Sequence, residues 1–132
     1  MAVANQTETS VKPLEEAHAN ATPQVVQTKI FNWGSLHRGD CEQDGGKIMF
    51  HSDGTGTFTA TTLTYHTSSG DIWHASFAAK GSNGATLFST GTFNSPRMND
   101  GNPPPKYSWS AQFSFLPEYF QGIASVSQNC SC

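Results

Sequence analysis

Residues 107–115, YSWSAQFSF, alternate without a fault. Tyr107, Trp109, Ala111, Phe113 and Phe115 form one set, and Ser108, Ser110, Gln112 and Ser114 the other. Successive side chains of an extended strand point to opposite faces, so this pattern describes a strand with one buried face and one wet face. A helix would scatter the same aromatics around its circumference. A half-buried strand also needs partners on its edges and a second layer over its aromatic face, which restricts the chain to a packed β architecture.

Other stretches repeat the signal. IFNW (30–33) places Phe31 and Trp33 on one face. GKIMFHS (46–52) and TGTFTATTLTY (55–65) flank Asp53-Gly54, which predicts a hairpin with Ile48, Phe50, Phe58 and Ala60 inward. Leu63 and Tyr65 fall out of phase with Phe58 and Ala60, which predicts a bulge near Thr61-Thr62. DIWHASFAA (71–79) puts Asp71, Trp73, Ala75, Phe77 and Ala79 together, with His74 on the other side. TLFSTGTF (86–93) reads as one short strand, LPEYFQG as a turn or a single helical turn opened by Pro117, and IASVSQNCSC as the closing strand. Between Asn94 and Lys106 a run rich in Pro, Gly and Asn reads as a loop, because proline cannot donate to a ladder. Charged residues make up only 13% of the chain, while nine Phe and three Trp supply core material. The expectation is an all-β antiparallel sandwich or small barrel of about seven strands.

Residues 1–27 contain no aromatic residue and mix Thr, Ala, Glu, Pro and Asn, with a short helical possibility near Leu14–Ala19. They read as a disordered N-terminal arm or linker ahead of a single all-β domain over 28–132. The net charge of −3 and the scattered Lys and Arg offer no basic stripe, which argues against nucleic acid. No apolar run reaches the ~18 residues that a membrane span requires. MAVANQTETS has neither a basic start nor an apolar stretch of the signal-peptide kind. The chain is nevertheless read as secreted, with its export signal removed.

That reading comes from the cysteines. Cys41, Cys130 and Cys132 do not have the four-ligand spacing of a zinc site, and no metal or cofactor is expected. In an exported protein Cys41 pairs with Cys130 or Cys132, closing a loop of roughly 90 residues worth ~4–5 kcal/mol of chain entropy. The two candidates are two residues apart and share a strand face, so their spacing does not choose between them. The cysteine left over is a free thiol or a route to a covalent homodimer.

The order of several short motifs resembles a family of small bacterial domains of unknown function, mostly from exported actinobacterial proteins. The carriers are Phe31/Trp33, Gly39-Asp40-Cys41, Asp53-Gly54 with Phe58, Asp71-Ile72-Trp73, Tyr107/Trp109, and Cys130 or Cys132. The resemblance spans roughly residues 30–132. It implies a secreted all-β domain with a disulfide at Cys41, and no established activity.

Arg38-Gly39-Asp40 matches an adhesion tripeptide, but three residues recur by chance, and a turn built on Gly39 and Asp40 accounts for them. Asp71, Trp73 and His74 form the most site-like cluster. The alternation that separates His74 from Asp71 argues against a catalytic dyad. His37, His51 and His66 with Asp53 show no metal-binding spacing, and no G-x-S-x-G elbow marks a nucleophile. Polar strand faces, with loops bearing Asn99, Asp100 and Tyr107, suit a polar ligand. Asp71, Trp73, His74, Asn99, Asp100 and Tyr107 are therefore the candidate binding residues, and no catalytic residue is nominated. The expectation is a non-catalytic secreted domain that binds a glycan or a protein partner, acting alone or as a subunit of an extracellular toxin or antagonism assembly. The alternatives are a small hydrolase using Asp71 and Asp40, and an inhibitor or toxin exported by a non-classical route. An open sheet edge, with the N-terminal arm as a strand donor, is a further way to engage a partner.

Overall fold

A computed structural model describes residues 7–14 and 24–132, with side chains from Val25 onward. The strands are β1 (Thr7–Leu14), β2 (Gln24–Asn32), β3 (Leu36–Arg38), β4 (Cys41–His51), β5 (Thr55–Thr64), β6 (His74–Lys80), β7 (Thr86–Ser89), β8 (Phe93–Asn94), β9 (Tyr107–Ser114) and β10 (Ser125–Ser131). They form two antiparallel sheets and no closed barrel. The larger sheet runs β1-β2-β4-β5-β9, with β3 also on β4; the smaller runs β10-β6-β7, with β8 also on β6. Aromatic and aliphatic residues of both sheets share one core, which makes the molecule a sandwich.

The alternating segments occupy the predicted faces. Phe31, Ile48, Phe50, Phe58, Trp73 and Ala75 are wholly buried, and Trp33, Ala60, Phe77 and Ala79 nearly so. In β9, Tyr107, Trp109, Ala111 and Phe113 are half-buried and the residues between them exposed. The phase is as expected, and the partial burial follows from the strand's place at a sheet edge. The Asp53-Gly54 hairpin forms, with Gly54 at φ +91° and Asp53 accepting from both the Thr55 amide and its hydroxyl. Gly56 lies opposite Phe113, whose ring fills the space that a Cβ would take.

The bulge is in a different place from the one expected. The β5–β9 register runs unbroken through Thr62, while β4 slips against β5 between Asp44 and Lys47. Gly45, at φ +61°, carries the extra residue, and Gly46 lies beside Gln43, whose amide occupies the place of a Cβ. The neighbouring chain breaks at the same level. β2 pairs with β4 up to Lys47, β3 resumes at Gln43, and Trp33–Ser35 bridges the gap.

Residues 86–93 divide into β7 and β8, both on β6, where one strand was expected. The Thr90-Gly91-Thr92 step separates them. Thr90 ties that step to β6 by exchanging hydrogen bonds with Phe77 through its amide and hydroxyl. A 3-10 helix spans Pro117–Gly122. Lys29 Nζ closes its end by donating to the carbonyls of Phe120, Gln121 and Ile123 at 2.8–3.1 Å, with the ammonium over the Phe120 ring.

β1 pairs antiparallel with the edge of β2, which begins at Gln24. Residues 1–6 and 15–23, where the rest of the arm and most of the possible helix fall, lie outside the described residues.

Candidate binding site at the disulfide end

Gly39-Asp40 is the two-residue turn between Arg38 and Cys41, which pair across β3 and β4. Gly39 takes φ +57°, the positive value that a tight hairpin requires at its first turn position. The Asp40 main-chain carbonyl, rather than its carboxylate, makes the local bond, accepting from the Tyr65 amide at 2.9 Å. The tripeptide is thus a turn that delivers Cys41 to its bond.

That bond is to Cys132. The Cα atoms are 6.2 Å apart and 91 residues separate the two in sequence. Cys130 is free and buried. Burial pushes its thiol pKa up, so it is a poor nucleophile at neutral pH. Beside it, Gln43 of β4 and Gln128 of β10 exchange reciprocal amide bonds of 2.7 and 3.2 Å across the two sheets, both wholly buried.

Around the disulfide gather the β3–β4 turn, the end of β5, the loops 65–73 and 95–106, and the start of β9. The six candidate residues divide among three places. Asp71 lies at this end, bridged to Met98 through both backbone groups. Its carboxylate accepts from Thr64 Oγ1 at 2.7 Å and Thr67 Oγ1 at 3.3 Å, and Oδ2 lies 3.7 Å from Cys41 Sγ. Because that sulfur is in the disulfide it has no proton, so the approach is a contact and not a hydrogen bond. Asn99, Asp100 and Tyr107 join the same end. The Asn99 amide donates to Tyr107 Oη at 3.0 Å, and Asp100 accepts from the Thr67 amide at 3.0 Å with His66 at 3.8 Å. Trp73 lies wholly in the core, out of reach of a surface ligand, and its indole N–H has no acceptor. His74 stands on the outer face of the smaller sheet, bonded to Asn94 at 2.6 Å and well apart in role from Asp71. His51 caps Thr28 of β2 and joins none of these groups.

Two residues here, Tyr65 and Glu42, are not among the sequence candidates. Tyr65 is 53% exposed, and its hydroxyl donates to Glu42 at 2.7 Å. Glu42 also faces His37 at 3.6 Å. The bond to Glu42, with the negative charges of Glu42 and Asp44 nearby, raises the Tyr65 phenol above its ordinary value. A signal for Tyr65 was present, since it is the aromatic residue that breaks phase with β5. The same break in phase predicts a bulge, but an aromatic aimed at solvent produces it equally well. Elsewhere, an open depression of about 400 Å³ on the outer face of the larger sheet is lined by hydroxyls of Thr59, Thr61, Ser108 and Ser110.

No curated protein and no solved structure matches the chain. A family of unknown function, DUF6294, matches residues 47–132, which contain the Asp53-Gly54 hairpin, Asp71-Ile72-Trp73, Tyr107/Trp109 and Cys132; the chain belongs to that family.

Proposed function

We propose that the protein is a secreted, non-catalytic binding domain whose disulfide end takes a polar ligand, a glycan in preference to a protein. The observation that carries the proposal is Tyr65, an exposed aromatic ring whose hydroxyl is held by Glu42. Such a ring offers a flat apolar face for the C–H side of a sugar, and the neighbouring carboxylates, imidazoles and amides suit its hydroxyls. Rigidity supports the reading. The loops that carry Asn99, Asp100 and Tyr65 are tied to the sandwich by the Cys41–Cys132 bond, the Asp71–Met98 bridge and the Asp100–Thr67 bond. A surface already ordered loses less entropy when a ligand settles on it.

The hydrolase alternative finds less support. The Asp71 carboxylate accepts from two threonine hydroxyls and has no second carboxylate as a partner. The secreted location rests on the disulfide, a bond that persists in oxidising compartments. A glycan array probed with the oxidised protein and with Tyr65→Ala tests the assignment. Saturable binding that Tyr65→Ala reduces by about tenfold or more supports it, a loss equal to one good stacking contact. An array with no saturable signal, or one unchanged by Tyr65→Ala, rejects it.

A further inference from the structure

The contact between Asp71 Oδ2 and Cys41 Sγ, at 3.7 Å, has no proton to share and gains little in the oxidised protein. It has the spacing of two ligands on one cation. With Zn–S near 2.3 Å and Zn–O near 2.1 Å, a sulfur and an oxygen on a tetrahedral zinc stand about 3.6 Å apart, and two sulfurs about 3.8 Å. The donor atoms of Cys41, Asp71 and Cys132 all lie within 4.8 Å of one another, and the two sulfurs, bonded to each other in the oxidised protein, part on reduction. Thr64 and Thr67 already orient the carboxylate, as hydroxyl donors do for a ligating acid. Cys132 is exposed, so an ion has a path from solvent.

We propose that the reduced protein binds a thiophilic divalent cation of the zinc class between Cys41, Cys132 and Asp71, with water in the fourth position. A dithiol reductant passes two electrons and two protons to the Cys41–Cys132 bond and leaves as its own disulfide. The cation then displaces the two thiol protons, giving two metal–thiolate bonds beside the Asp71 carboxylate. Exchange with a small-molecule disulfide reverses the sequence, re-forming the S–S bond and releasing the ion. Cys130 is outside this group of donors. The proposal does not depend on the glycan reading.

The test uses the full chain, reduced with a dithiol, freed of it without oxygen, and titrated with Zn2+ and then Co2+. Native mass spectrometry and the cobalt spectrum should show one ion per reduced chain, thiolate-to-cobalt charge transfer, and no ion on the oxidised chain. Asp71→Asn should weaken binding by about tenfold or more, and Cys130→Ser should leave it unchanged. Thermal melts run in parallel cover the case in which reduction unfolds the chain. Zn2+ should then raise the Tm or restore the fold, because binding to the folded form alone stabilises it. The proposal fails if the reduced chain neither takes up an ion nor regains structure with Zn2+. It also fails if uptake survives Asp71→Asn unchanged or is abolished by Cys130→Ser.

Discussion

Tyr65 and Glu42 illustrate how single side chains set the chemistry of a surface. The neutral phenol donates to a carboxylate, so ionising it would place two negative charges in contact, and its pKa rises above 10.0. With the folded value above the unfolded one, the stabilisation from this bond is complete below pH 10.0 and is lost as pH rises through the folded value. Ultraviolet titration should find one tyrosine ionising late, and Glu42→Gln should return it toward its ordinary range. The buried Gln43–Gln128 pair behaves differently, because neither amide has another partner to turn to. Either single change to Leu should cost about 1–3 kcal/mol in denaturant unfolding, whereas the double change should cost much less than the sum. Periodicity placed the β9 aromatics correctly because burial and phase agree there. It says nothing of which buried glutamine meets which, since that partner lies 85 residues away.

At the scale of elements, the β4 bulge organises the larger sheet. One extra residue lets the chain on its far side break between β2 and β3 and turns the Gln43 amide into the core. Gly45→Ala should cost about 1–2 kcal/mol for its left-handed backbone. Gly46→Ala should cost more, because its Cβ meets the Gln43 amide, and a melt of the two variants compares them. The hairpin at Asp53-Gly54 and the turn at Gly39-Asp40 were legible because their glycines sit between recognisable strands. The side-chain phase breaks in β5, but the bulge lies in β4, where the Gly45-Gly46 pair is the stronger backbone signal. β3 and β8 were missed as separate elements, being three and two residues long. Their pairing depends on the partner strand and not on their own pattern.

At the scale of the molecule, two sheets are held at one end by Cys41–Cys132 and inside by the glutamine pair. Replacing Cys132 with Ser should lower stability by about 2–5 kcal/mol, read as an earlier midpoint in guanidinium. Cys130→Ser should leave the disulfide in place, and peptide mapping under non-reducing conditions should recover Cys41 joined to Cys132. Which terminal cysteine pairs was illegible because two residues two apart would share a face of an extended strand; β10 ends at Ser131, and Cys132, just past it, bonds Cys41 while Cys130 stays buried within the strand. Four of the six candidate binding residues do converge on this disulfide end. Trp73 and His74 do not, since strand alternation sends one into the core and the other to the far face of its sheet. The central claim is that this end is the binding surface. Amide chemical-shift mapping during titration with an array-selected glycan tests it most directly. The account predicts shifts clustered at Glu42, Tyr65, His66, Asn99 and Asp100; shifts centred on Thr59, Thr61, Ser108 and Ser110 would contradict it.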